Sequence, residues 1–146
     1  DWEGFKFAIY VTAPAIILHE MSHKFVAMAF GLTATFQAWF FGLFLGILMK
    51  IFHSPIVLFA PGYVEIGPGG TYLTNAITAA AGPLLNLVLF ITAYFVMKSK
   101  KRFTRKEMYF WGLTKRINFF LFVFNLIPIP PLDGSKVFFN LIKAIF

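Results

Sequence analysis

His19-Glu20-Met21-Ser22-His23 puts two imidazoles and a carboxylate into one pentapeptide, at a spacing that suits metal chemistry. On a helix, residues four apart lie about 40° apart around the axis and roughly 6 Å apart along it, so both rings can grip one ion. Glu20, beside the first ring, is placed to take a proton from an attacking water as general base. The surroundings make the cluster unusual: Phe7 to Leu18 carries no charge, and after Lys24 the chain turns apolar again through Leu32. Ionisable groups are costly at that depth in a hydrophobic stretch, so such a cluster points to function. The competing account is a polar network of two histidines and a glutamate between helices, and the rest of the chain must decide.

A catalytic zinc site takes three protein ligands and keeps a fourth position open. The chain has no cysteine, so any third ligand comes from its three histidines and six acids. His53 ends an apolar stretch beside Ser54-Pro55. It is a candidate, although a lone histidine at the membrane interface is the simpler account. Asp1 and Glu3 are terminal, Glu65 sits in a β-prone piece facing water or head groups, and Glu107 lies among basic residues. Asp133 remains, on the proline-stiffened run Asn125-Leu126-Ile127-Pro128-Ile129-Pro130-Pro131-Leu132-Asp133-Gly134. His19, His23 and Asp133 together make an open site suited to zinc.

The elements that must position these residues belong in a membrane. The 146 residues are 59% hydrophobic, 20% aromatic and 13% charged, with a mean hydropathy of +0.76. Soluble domains carry about 25% charged residues. Several apolar stretches approach the roughly 20 residues that cross a bilayer core. The expected fold is mainly α, a polytopic membrane helix bundle in one unit over 1–146. It has three core transmembrane helices, an extra apolar segment, and a short membrane-associated β strand or hairpin. Helix A is expected over 5–30, ended by Gly31, with Pro14 kinking it and freeing carbonyls near His19. Apolar segment B covers 36–53, and its Gly42 and Gly46 form a small-xxx-small contact surface. A β segment over 56–70 is bracketed by prolines and glycines.

Helix C, 75–97, opens on small residues and is interrupted at Gly82-Pro83. Its Asn86 lies at a depth where a hydrogen bond to a neighbouring helix is the plain expectation. A basic connection follows over 98–116, and then a broken helix D, 117–146, split at the proline joint. Much of the +7 net charge gathers from Lys98 to Lys106. That run suits anionic head groups and a cytoplasmic location. No motif supports a nucleic-acid partner. An acidic start and no small-residue cleavage site argue against a cleavable signal. Beginning without Met, the chain is expected to be a fragment or a processed product.

His19-Glu20-x-x-His23, Gly82-Pro83-x-x-Asn86 and Asn125-x-x-Pro128-x-Pro130-x-x-Asp133-Gly134 resemble, in order and approximate spacing, the site-2 protease family of intramembrane zinc metalloproteases. The resemblance spans about residues 5 to 143, and Ala60-Pro61-Gly62-Tyr63-Val64 is similar to the family's membrane-associated β segment. It implies one zinc ion per chain on His19, His23 and Asp133, with Glu20 activating water. It also implies that Asn86 holds the substrate backbone or the developing oxyanion. Gly62, Tyr63 and Val64 would take an unwound substrate by strand addition. Asn125, Pro128, Pro130 and Gly134 would support the joint that aims Asp133, with packing or backbone capping an equal account for Asn125. The form is compact, without a PDZ domain. The implied partners are a lipid bilayer and the transmembrane segment of a membrane protein substrate, and the implied location is a prokaryotic cell membrane, crossed several times. Two other classes fit less well: an idle membrane-helix-binding chaperone or adaptor that retains the metal site, and a metal transporter. The basic run and the family's usual topology disagree about orientation, which stays open, as do the substrate and the oligomeric state.

Overall fold

The computed structural model describes residues 2–40, 44 and 62–146. Its elements are α1 (Trp2–Ala29), β1 (Ala34–Ala38), β2 (Gly62–Ile66), α2 (Tyr72–Ser99), α3 (Arg105–Asn125) and α4 (Asp133–Ile145). Gly42, Gly46 and His53 lie outside the described residues, as does nearly all of segment B beyond Phe40.

α1 runs unbroken through Pro14. The carbonyl that Pro14 deprives of a donor is that of Tyr10, one turn back, so none is freed beside His19. The buried side chains of α1 are Val11, Ala15, His19, His23 and Ala27. They form a ridge of residues four apart, the row that packs into a crossing helix. The helix stops where Gly31 takes a positive φ of 74° and the Leu32 N–H returns to the Ala27 carbonyl at 2.9 Å. Few residues but glycine adopt that conformation cheaply.

The turn at Gly31 feeds β1, which pairs antiparallel with β2 in a two-stranded sheet, Phe36 opposite Val64. Phe36, Gln37 and Ala38 therefore belong to a strand and not to the expected apolar segment. Thr35 and Phe36 favour extended backbone, and a partner strand is within reach to satisfy it. Of the expected β segment, Gly62–Ile66 is a strand, and residues 56–61 lie outside the described residues.

α2 is capped by the Thr71 hydroxyl, which accepts from the Thr74 N–H at 3.1 Å. It continues through Gly82-Pro83 without the expected interruption. Its buried residues Ala76, Ala79, Gly82, Pro83, Asn86 and Ala93 follow one face, and α2 packs against α1, α3 and α4. Small side chains on that face let the backbones approach closely.

α3 begins inside the stretch expected to be a basic connection. Thr104 and Glu107 form a reciprocal capping box there, satisfying two backbone donors that the helix leaves open. Arg105, Lys106, Lys115 and Arg116 therefore ride on a helix. The expected break in helix D does occur, with residues 126–132 separating α3 from α4. At Gly134 a Cβ would come within 2.5 Å of the Ile127 carbonyl oxygen and closer still to that of Leu126. Only glycine lets α4 start flush against the end of α3.

Among the described residues the buried apolar side chains are small, five alanines joined by Val11, Val64 and Val137. Around them the large apolar side chains, among them Phe25, Leu84, Phe95, Phe120 and Phe139, face outward. Among the described residues, α2 is the one helix long and apolar enough to cross a membrane. The three spanning helices of the expected bundle are not matched at that level. α1 carries His19, Glu20, His23 and Lys24, and α3 carries Lys115 and Arg116 in mid-helix, so both are too polar by composition alone. The coarser fold stands: mainly helical, with four helices and a small sheet among the described residues.

Candidate metal centre

Residues from α1 and α4 converge on the small-residue face of α2. His19 Nε2 lies 3.0 Å from Asp133 Oδ2, His23 Nε2 lies 3.3 Å from the same oxygen, and the two Nε2 atoms are 3.1 Å apart. Nitrogen and oxygen ligands at roughly 2.0–2.2 Å from a tetrahedral zinc stand about 3.3–3.6 Å from one another. The observed triangle is within a few tenths of an ångström of that. Both histidines are buried, and Asp133 is nearly so.

The far side of each ring decides what its Nε2 can do. His23 Nδ1 is 2.8 Å from the Thr78 carbonyl oxygen. A carbonyl only accepts, so Nδ1 carries the proton and Nε2 a lone pair. His19 Nδ1 donates to Asn86 Oδ1 at 2.6 Å, which leaves its Nε2 in the same state. With both rings neutral, two imidazole lone pairs and a carboxylate oxygen thus share one focus. Such a set is repulsive unless a cation sits between them. Gly82 leaves space for it, since a Cβ there would stand 2.6 Å from His19 Nε2 and closer still to His23 Nε2. The donor set and the cradle both fit a zinc ion.

Glu20 lies close enough to the cluster to feel the charges of His23, His19 and Asp133, and it also reaches the sheet. Its Oε2 accepts from the Val64 N–H of β2 at 3.0 Å. In the ladder, Gly67 N–H bonds Thr33 O at 2.8 Å, so alternation makes Phe36–Val64 a non-hydrogen-bonded pair. The Val64 peptide group therefore faces away from β1, along the edge of β2 that Glu20 borders. Gly62, Tyr63 and Val64 all lie on this strand, Val64 buried and Tyr63 exposed. Glu65 accepts from Gln37 Nε2 at 3.0 Å, exposed on the sheet as expected.

Asn86 joins α1 to α3. It is fully buried, its oxygen engaged by His19 and its amide nitrogen donating to Asn118 Oδ1 at 2.9 Å. The plain expectation of an interhelical hydrogen bond is the geometry found. Asn125 closes α3 by donating to the Leu121 carbonyl at 3.0 Å, a backbone contact and not one to Asp133. Pro128 and Pro130 lie in the joint between α3 and α4.

Three contributors escaped the sequence. The Thr78 carbonyl carries no side-chain signal at all. Gly82 counted as one of several small packing residues and as a helix breaker, not as the place where a missing Cβ makes room for both rings. Asn118 did leave a trace, a polar residue embedded in Ile117-Asn118-Phe119-Phe120-Leu121-Phe122, at a depth where a polar side chain needs a partner.

The sequence model of peptidase family M50 matches residues 98–146, which hold α3, the joint and Asp133. "Putative zinc metalloprotease MJ0611" of Methanocaldococcus jannaschii is 36% identical over 137 residues, covering 91% of this chain and 69% of that protein. "Putative zinc metalloprotease YwhC" of Bacillus subtilis is 31% identical over 78 residues, 48% of this chain and 36% of that protein. Motif, scaffold and relatives place the chain among the metalloproteases. Within that class it belongs to peptidase family M50, the site-2 protease family.

Proposed function

We propose that the protein is an intramembrane zinc endopeptidase, cutting peptide bonds in or near transmembrane helices of membrane-anchored proteins. The observation that carries this is the convergence of His19 Nε2, His23 Nε2 and Asp133 Oδ2 on one point, with Glu20 close by. When bound there, zinc supplies a Lewis acid and a water acidic enough to attack a carbonyl near neutral pH. The protein residues do the remainder. Thr78 and Asn86 hold the two rings in the ligating tautomer. Glu20 removes a proton from the attacking water and returns one to the leaving amine.

The edge of β2 supports the choice of an extended peptide as substrate. A strand added there would hydrogen-bond the Val64 N–H in place of Glu20 and lie against the motif helix. Such binding uses main-chain groups and asks little of the side chains, and it requires a helical substrate to unwind first. The outward-facing phenylalanines and leucines, with α2 long enough to span, support a lipid setting and a multi-pass arrangement.

Cleavage of a single-span membrane protein in liposomes tests the proposal. Wild type should contain one zinc and cut. Glu20→Gln should keep the zinc and cut at least about a hundredfold more slowly, the scale of a lost general base. Full activity in Glu20→Gln refutes the assigned role. A zinc-loaded wild type that cuts no helical substrate favours the adaptor.

A further inference from the structure

Asn118 of α3 touches neither substrate nor metal ligand, yet it ends a hydrogen-bond chain that starts on one. We infer that Asn118 is a positioning residue, fixing the orientation of the Asn86 amide and through it the tautomer that lets His19 bind zinc. This rests on the zinc reading above and adds to it a dependence on a third helix.

The argument runs from an atom that cannot change its role. The main-chain oxygen of Thr114 only accepts, and Asn118 Nδ2 lies 2.9 Å from it. Asn118 must therefore present its oxygen on the other side, 2.9 Å from Asn86 Nδ2. Asn86 must then turn its own oxygen to His19 Nδ1, 2.6 Å away. A carbonyl in that position demands an N–H, so the proton sits on Nδ1 and the lone pair on Nε2. Each amide has one permitted orientation, because a flip at either would oppose two oxygens at hydrogen-bond distance. Asn86 and Asn118 are both buried to within 1%, where no solvent can make good a lost partner.

Without Asn118, the Asn86 amide is free to turn its nitrogen toward His19. The ring would answer by moving its proton to Nε2, the atom the metal needs. Asn118→Leu keeps the size of the side chain and removes the constraint. The partner groups behind metal ligands are worth about ten- to a hundredfold in affinity, and a loss in that range is expected here.

A chelator-competition titration of zinc on the whole protein in detergent reads this without any cleavage. Asn118→Leu should weaken zinc about ten- to a hundredfold. It should also shift the visible bands of the cobalt-substituted site, which a residue that only packs helices would leave in place. The same change made on Asn86→Asp should cost less than about threefold, because a carboxylate accepts with either oxygen and has no wrong orientation. Equal losses in both backgrounds, or no loss in either, overturn the inference. Should Asn118→Leu fail to fold, Asn118→Asp replaces it: as the neutral acid it still donates to the Thr114 carbonyl, and its other oxygen still receives Asn86 Nδ2. Zinc held within about threefold of wild type supports the relay, and a larger loss overturns it. A wild type that takes up no zinc removes the metal reading and this inference together, whereas a zinc-binding wild type indifferent to Asn118 removes this inference alone.

Discussion

Replacing Gly82 by Ala adds one methyl group at the point where α2 faces both histidines. That carbon would lie 2.6 Å from His19 Nε2 and 2.7 Å from His19 Cε1, with His23 Nε2 nearer still. Each distance is short of the roughly 3.5 Å packing contact by about 1 Å. The rings cannot swing aside freely, because their Nδ1 atoms are held by Asn86 at 2.6 Å and by Thr78 at 2.8 Å. A displacement of about 1 Å compares with a tolerance of about 0.2 Å in ligand distance, so zinc affinity should fall by more than about a hundredfold. Stability without metal should change much less. Relief from glycine in a helix contributes about 1 kcal/mol, against an overpacking cost of about 1–3 kcal/mol. Zinc content after stripping and reloading, chelator competition, and a melt of the metal-free protein measure both effects. Gly112→Ala is the control, since nothing stands within 4 Å of a Cβ there, and it should keep full zinc affinity. If Gly82→Ala retained zinc at wild-type affinity, the metal could not sit between these rings and α2.

Gly134→Ala should lower both stability and zinc affinity, since the new carbon meets the Leu126 and Ile127 carbonyls and rigid backbone must move, carrying Asp133 with it. Unchanged zinc binding in that variant would mean that Asp133 is not a ligand. At the start of α3, Glu107 has its pKa lowered from 4.5 to about 2 by hydrogen bonds from Lys100 and Thr104. A depressed folded-state pKa favours the ionised, folded form, so this contribution is complete above about 4.5 and fades as pH falls toward 2. Melts between pH 6 and pH 3 should show the loss, and Glu107→Gln should flatten the difference between them.

Local patterns in the chain carried much of the site. His19 and His23 share a helix face by spacing alone, and the shortage of acids singled out Asp133 before any geometry was known. The joint was equally legible, because Pro128, Pro130 and Pro131 rule out a continuous helix. What escaped was decided by partners distant in sequence. Phe36 looked like part of an apolar run, but β2 makes it a strand. Gly82-Pro83 has the composition of a breaker, but packing from three neighbouring helices keeps α2 whole. The start of α3 is a different case, since Thr104-x-x-Glu107 is a readable capping signature. The surrounding lysines and arginines drew attention to charge instead. Asn86 was legible in kind but not in duty, because its neighbour on the metal side comes from α1 and its neighbour behind from α3.

His19 and Asp133 meet across a separation of 114 residues, and this gives the site a history as well as a shape. As the chain is synthesised, the motif helix emerges first with both imidazoles and Glu20 in place. The carbonyl of Thr78 and the amide of Asn86 arrive next to orient those rings, and Asn118 follows. The third ligand is made last. A nascent chain that already holds the motif but has not reached Asp133 therefore has an incomplete ligand set, which closes only when the segment carrying Asp133 folds back onto α1.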